Sequence, residues 1–109
     1  MALVSQKQMW FEVFELMQDH KVRTRSQIAD AIKTKLSLTE DEMQEKTSSG
    51  VAVYKSRSDW SVSQLNIAGL LDRPTRAHYQ ISDIGFQKYN AGINVDDLAR
   101  FIYTSKLND

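Results

Sequence analysis

Residues 56–85, SRSDWSVSQLNIAGLLDRPTRAHYQISDIG, decide how this chain folds. Ser56 to Leu70 predicts a helix with Trp60, Gln64, Leu65 and Ala68 on its inner side, closed by Gly69 at a position where a left-handed residue is favourable. Leu71 to Ser82 predicts a β-hairpin. Tyr79 and Ile81 alternate as on a half-buried strand, and Pro74-Thr75-Arg76-Ala77 supplies the tip, since proline suits a turn or an edge. Ser82 then caps a further helix to about Asn90, with Phe86 and Tyr89 expected inward. A helix running straight into a two-stranded hairpin outlines a winged helix-turn-helix, mostly α with a small β-hairpin wing. In that architecture the helix enters the major groove of double-stranded DNA and the wing touches the backbone beside it.

Upstream, Ser5 caps a first helix running to Asp19. Met9, Val13, Leu16 and Met17 recur at helical spacing, and Trp10 and Phe14 read as core. Residues 20–24 form a connector from which Val22 is expected to pair with the hairpin. Thr24 or Ser26 caps a second helix with Ile28, Ala29, Ile32 and Leu36 on its apolar face. Thr39 and Glu42 have the spacing of a capping box, and the acidic first turn after Thr39 suits a helix dipole better than a metal site. Residues 50–55 read equally as helical or extended. Asp96 and Asp97 open a last helix whose face is Leu98, Ala99, Ile102 and Tyr103, with Phe101 and Leu107 nearby. The expected division is a winged-helix domain over 1–92 and a C-terminal helix over 93–109. That helix either packs back on the first, forms a homodimer seam through Val95–Leu107, or leads to a further domain.

Composition bounds the rest. The chain has 109 residues, enough for one core, no cysteine, and 14 basic against 14 acidic residues. No thiolate metal site is available, no run spans a membrane, and the N-terminus lacks a secretory pattern, so the cytoplasm is the expected location. Zero net charge counts against a nucleic-acid binder, but the charge is unevenly placed. Lys21, Arg23, Arg25, Lys33 and Lys35 stand against Asp30 alone, whereas Glu40, Asp41, Glu42 and Glu45 stand against Lys46. On the helix from Ser56, the expected groove face holds Lys55, Arg57, Ser58, Val62, Ser63 and Asn66. Arg pairs with guanine and Asn with adenine, and Val62 or Ile67 meets a methyl group. Arg73, Arg76 and His78 are expected on the backbone with help from Arg23 and Arg25, whose other reading is a solvated face. His78 has only His20 as a potential co-ligand, so no metal is expected. Gln44-Glu45-Lys46 matches a nuclease string but lacks the surrounding sheet, and no cofactor motif is present. The expectation is a binding domain, not an enzyme.

The set Arg57, Trp60, Leu65, Ala68-Gly69-Leu70-Leu71, Pro74, Arg76, Tyr79, Ile81, Ser82 and Gly85 resembles the N-terminal domain of Mrr-type restriction endonucleases. The exit from the second helix at Leu36–Glu42 and the Ser49-Gly50 step are similar too, and the resemblance covers roughly residues 8–90. It implies a prokaryotic restriction system, recognition of foreign or modified DNA, and a partner nuclease domain in cis or in trans. Ala77 departs from the glycine the family usually carries after the arginine, and alanine resists positive φ. Asn66-Ile67 replaces a basic pair often seen there, and the helix from Val95 has no counterpart. The competing readings are a protein-interaction or dimerisation winged helix, and a transcription regulator.

Overall fold

The structure, a computed structural model, describes residues 4–107, with side chains to residue 105. The order is α1 (Gln6–Leu16), a 3₁₀ turn (Met17–Asp19), α2 (Arg25–Lys35), α3 (Glu40–Gln44), α4 (Val53–Ile67), β1 (Leu71–Thr75), β2 (His78–Ile81), α5 (Asp83–Asn90) and α6 (Val95–Leu107). Helices with one two-stranded antiparallel hairpin make a winged-helix-like fold, as the sequence predicts.

Local chemistry sets the helix starts. Ser5, Thr24, Thr39 and Ser82 each accept a hydrogen bond from the backbone N–H three residues on. At Thr24–Gln27 and Thr39–Glu42 the bond is returned, completing two capping boxes. After α4, Gly69 takes φ +79, and Leu70 N–H bonds back to Leu65 O at 2.9 Å, so the chain turns sharply into β1.

The main core lies beneath these elements, beside a smaller cluster of Ala29 and Tyr54. Met9, Val13, Phe14 and Met17 of the first helical segment meet Ile28 and Ile32 of α2, Val62 and Leu65 of α4, and Leu71, Tyr79 and Ile81 of the hairpin. Leu98, Ala99 and Ile102 of α6 complete it, with Tyr103 set edge-on to Trp10 at 5.5 Å. Of the three roles left open for this helix, the structure shows packing on α1. Leu98, Ala99 and Ile102 of its expected apolar face are turned into the chain's own core, Tyr103 stays exposed, and the side chain of Leu107 lies outside the described residues.

The wing is three-stranded at one point. Leu71 pairs with Ile81, Asp72 with Gln80 and Thr75 with His78, so Arg73-Pro74 bulge opposite Tyr79. Proline has no N–H to offer there. Tyr79 instead exchanges both backbone bonds with Arg23, at 2.8 and 2.9 Å. The pairing residue is thus Arg23 and not its neighbour Val22, which is exposed.

The rotation of α4 differs from expectation. Its buried stripe is Tyr54, Ser58, Ser61, Val62, Gln64 and Leu65, and Trp60 is 50% exposed. The helix also begins at Val53, which settles the open segment: Ala52 is extended, bridging Lys46, and the helix follows. Serines line the stripe where α4 packs on α1. Gln6 Nε2 donates to Ser61 Oγ at 2.9 Å and to Arg57 O at 3.0 Å, and an indole would hold the helices apart. Phe86, expected inward, lies at the surface against His20, ring centres 4.6 Å apart.

Candidate nucleic-acid interface

With α4 in this rotation, its outer face is Ser56, Asp59, Trp60, Ser63 and Ile67. The face is not a bare ridge. A tight loop, closed by Thr47 N–H to Val51 O at 2.8 Å, stands beside it and makes a groove of about 500 Å³. Thr47, Ser49 and Val51 form one wall, Gln6 and Arg25 stand at the flanks, and Ser56, Asp59, Trp60 and Ser63 form the floor.

Arg25 organises the surface. It is the first residue of α2, and its guanidinium donates to Asp59 O at 2.6 Å, Ser63 Oγ at 2.8 Å and Tyr79 Oη at 3.0 Å. It also lies 5.2 Å from the centre of the Tyr79 ring. One side chain therefore ties the start of α2, the flank of α4 and the wing strand β2 together. Asn66 adds a second tie, its amide donating to Leu71 O at 2.9 Å.

These bonds redistribute the residues expected to touch DNA. Ser58 and Val62 are fully buried and withdraw from the interface, because the helix turns them to the core. Arg23 forks onto Asp19 at 2.7 and 2.9 Å, holding that carboxyl down to about 2. Arg57 donates to Val4 O at 2.5 Å, bracing the N-terminal segment. Asn66 and Arg25 are occupied as described, and Ser63 accepts from Arg25. Lys55, Arg73, Arg76 and His78 are exposed, and none of them forms an ion pair among the described residues. His78 Nδ1 sits 2.9 Å from Arg76 O, which orders the wing tip. There Ala77 adopts φ +65, the left-handed value that its alanine side chain resists.

Asp59 and Trp60 are the site residues that the helical pattern hid, Asp59 because it received no role and Trp60 because it reads as core. Burial pushes the Asp59 carboxyl up, partly offset by the positive charges of Arg25 and Lys55. Among the described residues no group of three His, Cys, Asp or Glu side chains is placed to hold a metal ion, and no helix is long and apolar enough to cross a membrane.

A comparison with protein families matches residues 7–91 to the Mrr N-terminal domain. The chain belongs to the Mrr N-terminal domain family. Comparisons with curated proteins and with solved structures find no match. The match spans α1 to α5 and stops short of α6. As an Mrr N-terminal domain, the chain is a restriction-system module distinct from the nuclease domain of such proteins. Ser82 and Gly85 have a visible structural role in this Mrr N-terminal domain. Ser82 Oγ donates to Gly69 O at 2.6 Å and accepts from Gly85 N–H at 2.9 Å, seating α5 on the α4–β1 turn. A methyl group at Gly85 would fall inside the radius of the Leu70 carbonyl oxygen.

Proposed function

We propose that this domain recognises double-stranded DNA for a prokaryotic restriction system, working in the cytoplasm. The outer face of α4 enters the major groove, and the β1–β2 wing lies on the neighbouring backbone. The observation that carries the reading is the Arg25 tie. It fixes the three elements a winged helix presents to DNA as one surface before any DNA arrives, which lowers the ordering cost of binding. Lys55 at the start of α4 and Arg73, Arg76 and His78 on the wing are the exposed groups for phosphates. Trp60 and Ile67 give the face apolar contacts suited to a thymine methyl or a modified base. Strand cleavage belongs to a nuclease domain in cis or in trans, and this domain contributes recognition without a cofactor.

The test is a fluorescence-anisotropy titration with mixed short duplexes, unmodified and methylated, at several salt concentrations. The expected result is binding that weakens steeply with salt. Arg73→Ala and Arg76→Ala should each lower the slope of log affinity against log salt by about one. Absence of salt-sensitive binding by the folded domain contradicts the reading.

One observation favours protein docking as the second reading. Val51, Trp60 and Ile67 are all about half exposed on or beside the α4 face, an apolar content high for a DNA surface. On that reading the domain forms a stable complex with a protein partner and shifts no duplex.

A further inference from the structure

Asp59 carries a carboxylate with no role in the contacts described so far. It lies midway along α4 on the groove floor, between Ser56 and Ser63, and is half-buried. Among the described residues no side chain donates a hydrogen bond to its carboxylate, although Arg25 donates to the main-chain oxygen of the same residue. An acid partly withdrawn from water and given no donor is held at a cost. Burial accordingly shifts it toward the protonated form. Facing a duplex, it is repelled by phosphates, and the groups that reward it are the exocyclic amino donors on base edges. A carboxylate only accepts. Adenine sets its N6 amino group beside the N7 acceptor, which repels a carboxylate, whereas cytosine N4 is the usual partner of an acidic side chain in the major groove.

We infer that Asp59 is a specificity-determining residue of α4, accepting a hydrogen bond from cytosine N4 at one position of the target. The inference rests on the DNA reading above and adds to it the residue that selects a base. Placement on the helix axis face, the groove around it and the missing donor all support the same role.

The experiment compares wild type, Asp59→Ala and Asp59→Asn by anisotropy competition against duplexes varied one base pair at a time. Circular dichroism confirms folding, and Asn is nearly isosteric with Asp. Wild type should prefer cytosine at one position by roughly 5- to 160-fold, the range of a good base contact. Asp59→Ala should lose that preference at that position alone. Asp59→Asn should transfer it to adenine, whose N6 and N7 match an amide. If Asp59→Ala tightens binding to all duplexes alike and leaves every preference intact, Asp59 is only a repelled charge and the inference is overturned. Wild-type binding without base preference overturns it too, while sparing backbone recognition. Absence of wild-type binding to any duplex overturns the parent reading, before any variant is made.

Discussion

Replacing Arg25 by alanine separates the two roles a cation at the start of α2 can play. The structure makes it a structural tie with three hydrogen bonds and a ring contact. Hydrogen bonds from a charged group contribute about 1.5–3 kcal/mol each when isolated, and an exposed cation–π contact about 0.5–1 kcal/mol. These do not add, and water replaces part of what is lost at Asp59 O and Ser63. Tyr79 is different. It is 3% exposed, so its hydroxyl is left poorly solvated at a cost of about 1–3 kcal/mol. The expected loss for Arg25→Ala is about 2–3 kcal/mol. Arg25→Lys should recover less than half of this, because an ammonium cannot fork to three acceptors on two elements. Urea unfolding followed by circular dichroism should show the midpoint falling by about 1–2 M with the slope unchanged. The cycle with Tyr79→Phe should give a coupling of about 1 kcal/mol. If both Arg25 variants keep the wild-type midpoint and only weaken DNA binding, the guanidinium faces phosphate in solution and the tie does not exist.

Other substitutions test the joints of the fold. Gly85→Ala places a methyl group against the Leu70 backbone carbonyl, which cannot step aside as a side chain would. Overpacking of this kind should outweigh the helix-propensity gain and cost at least about 2 kcal/mol, and a raised Tm would refute the contact. Ala77→Gly relieves the left-handed strain at the wing tip. The relief of about 1–2 kcal/mol, less the extra chain entropy of glycine, should raise stability by about 0.5–1 kcal/mol in thermal unfolding. Asp19 is held down to about 2 by Arg23, so its ion pair is fully present above the ordinary carboxyl range and lost as pH falls toward 2. Asp19→Asn should therefore be less stable than wild type near neutral pH by no more than about 1 kcal/mol, since the pair is partly exposed, and the gap should close in acid. A gap that stays constant with pH would mean that the pair does not form.

Much of this was legible in the sequence wherever the signal is local. The capping pair Thr39–Glu42 needs only a three-residue spacing, and of the two caps open for α2, Thr24 and Ser26, the structure uses Thr24. The hairpin follows from Tyr79-Gln80-Ile81 after a proline-bearing turn. Alanine at position 77 argues against a left-handed wing tip, yet Ala77 adopts φ +65 there. The phase of α4 was not legible. Trp60 with Leu65 and Ala68 looks like an apolar stripe, and Ser58 and Val62 look like part of an exposed one, until the close packing of α4 is known. The fates of the cations were hidden for a related reason. Arg25 finds Ser63 and Tyr79, and Arg57 finds Val4, across tens of residues of sequence, and a pattern of spacings carries no information on such partners. Arg23 is paired locally, four residues from Asp19. The candidate interface consequently lies on the Asp59–Trp60 side of the helix and not on the Ser58–Val62 side, and the wing cations are exposed.

The most direct test of the surface is amide chemical-shift mapping of the domain with a short duplex. The account predicts perturbation of Thr47 to Val51, of Ser56, Asp59, Trp60 and Ser63, and of Arg73 and Thr75 to His78. The indole N–H of Trp60 should shift while that of the buried Trp10 stays in place. Perturbations confined to α5 and α6, or none at saturating DNA, would contradict it.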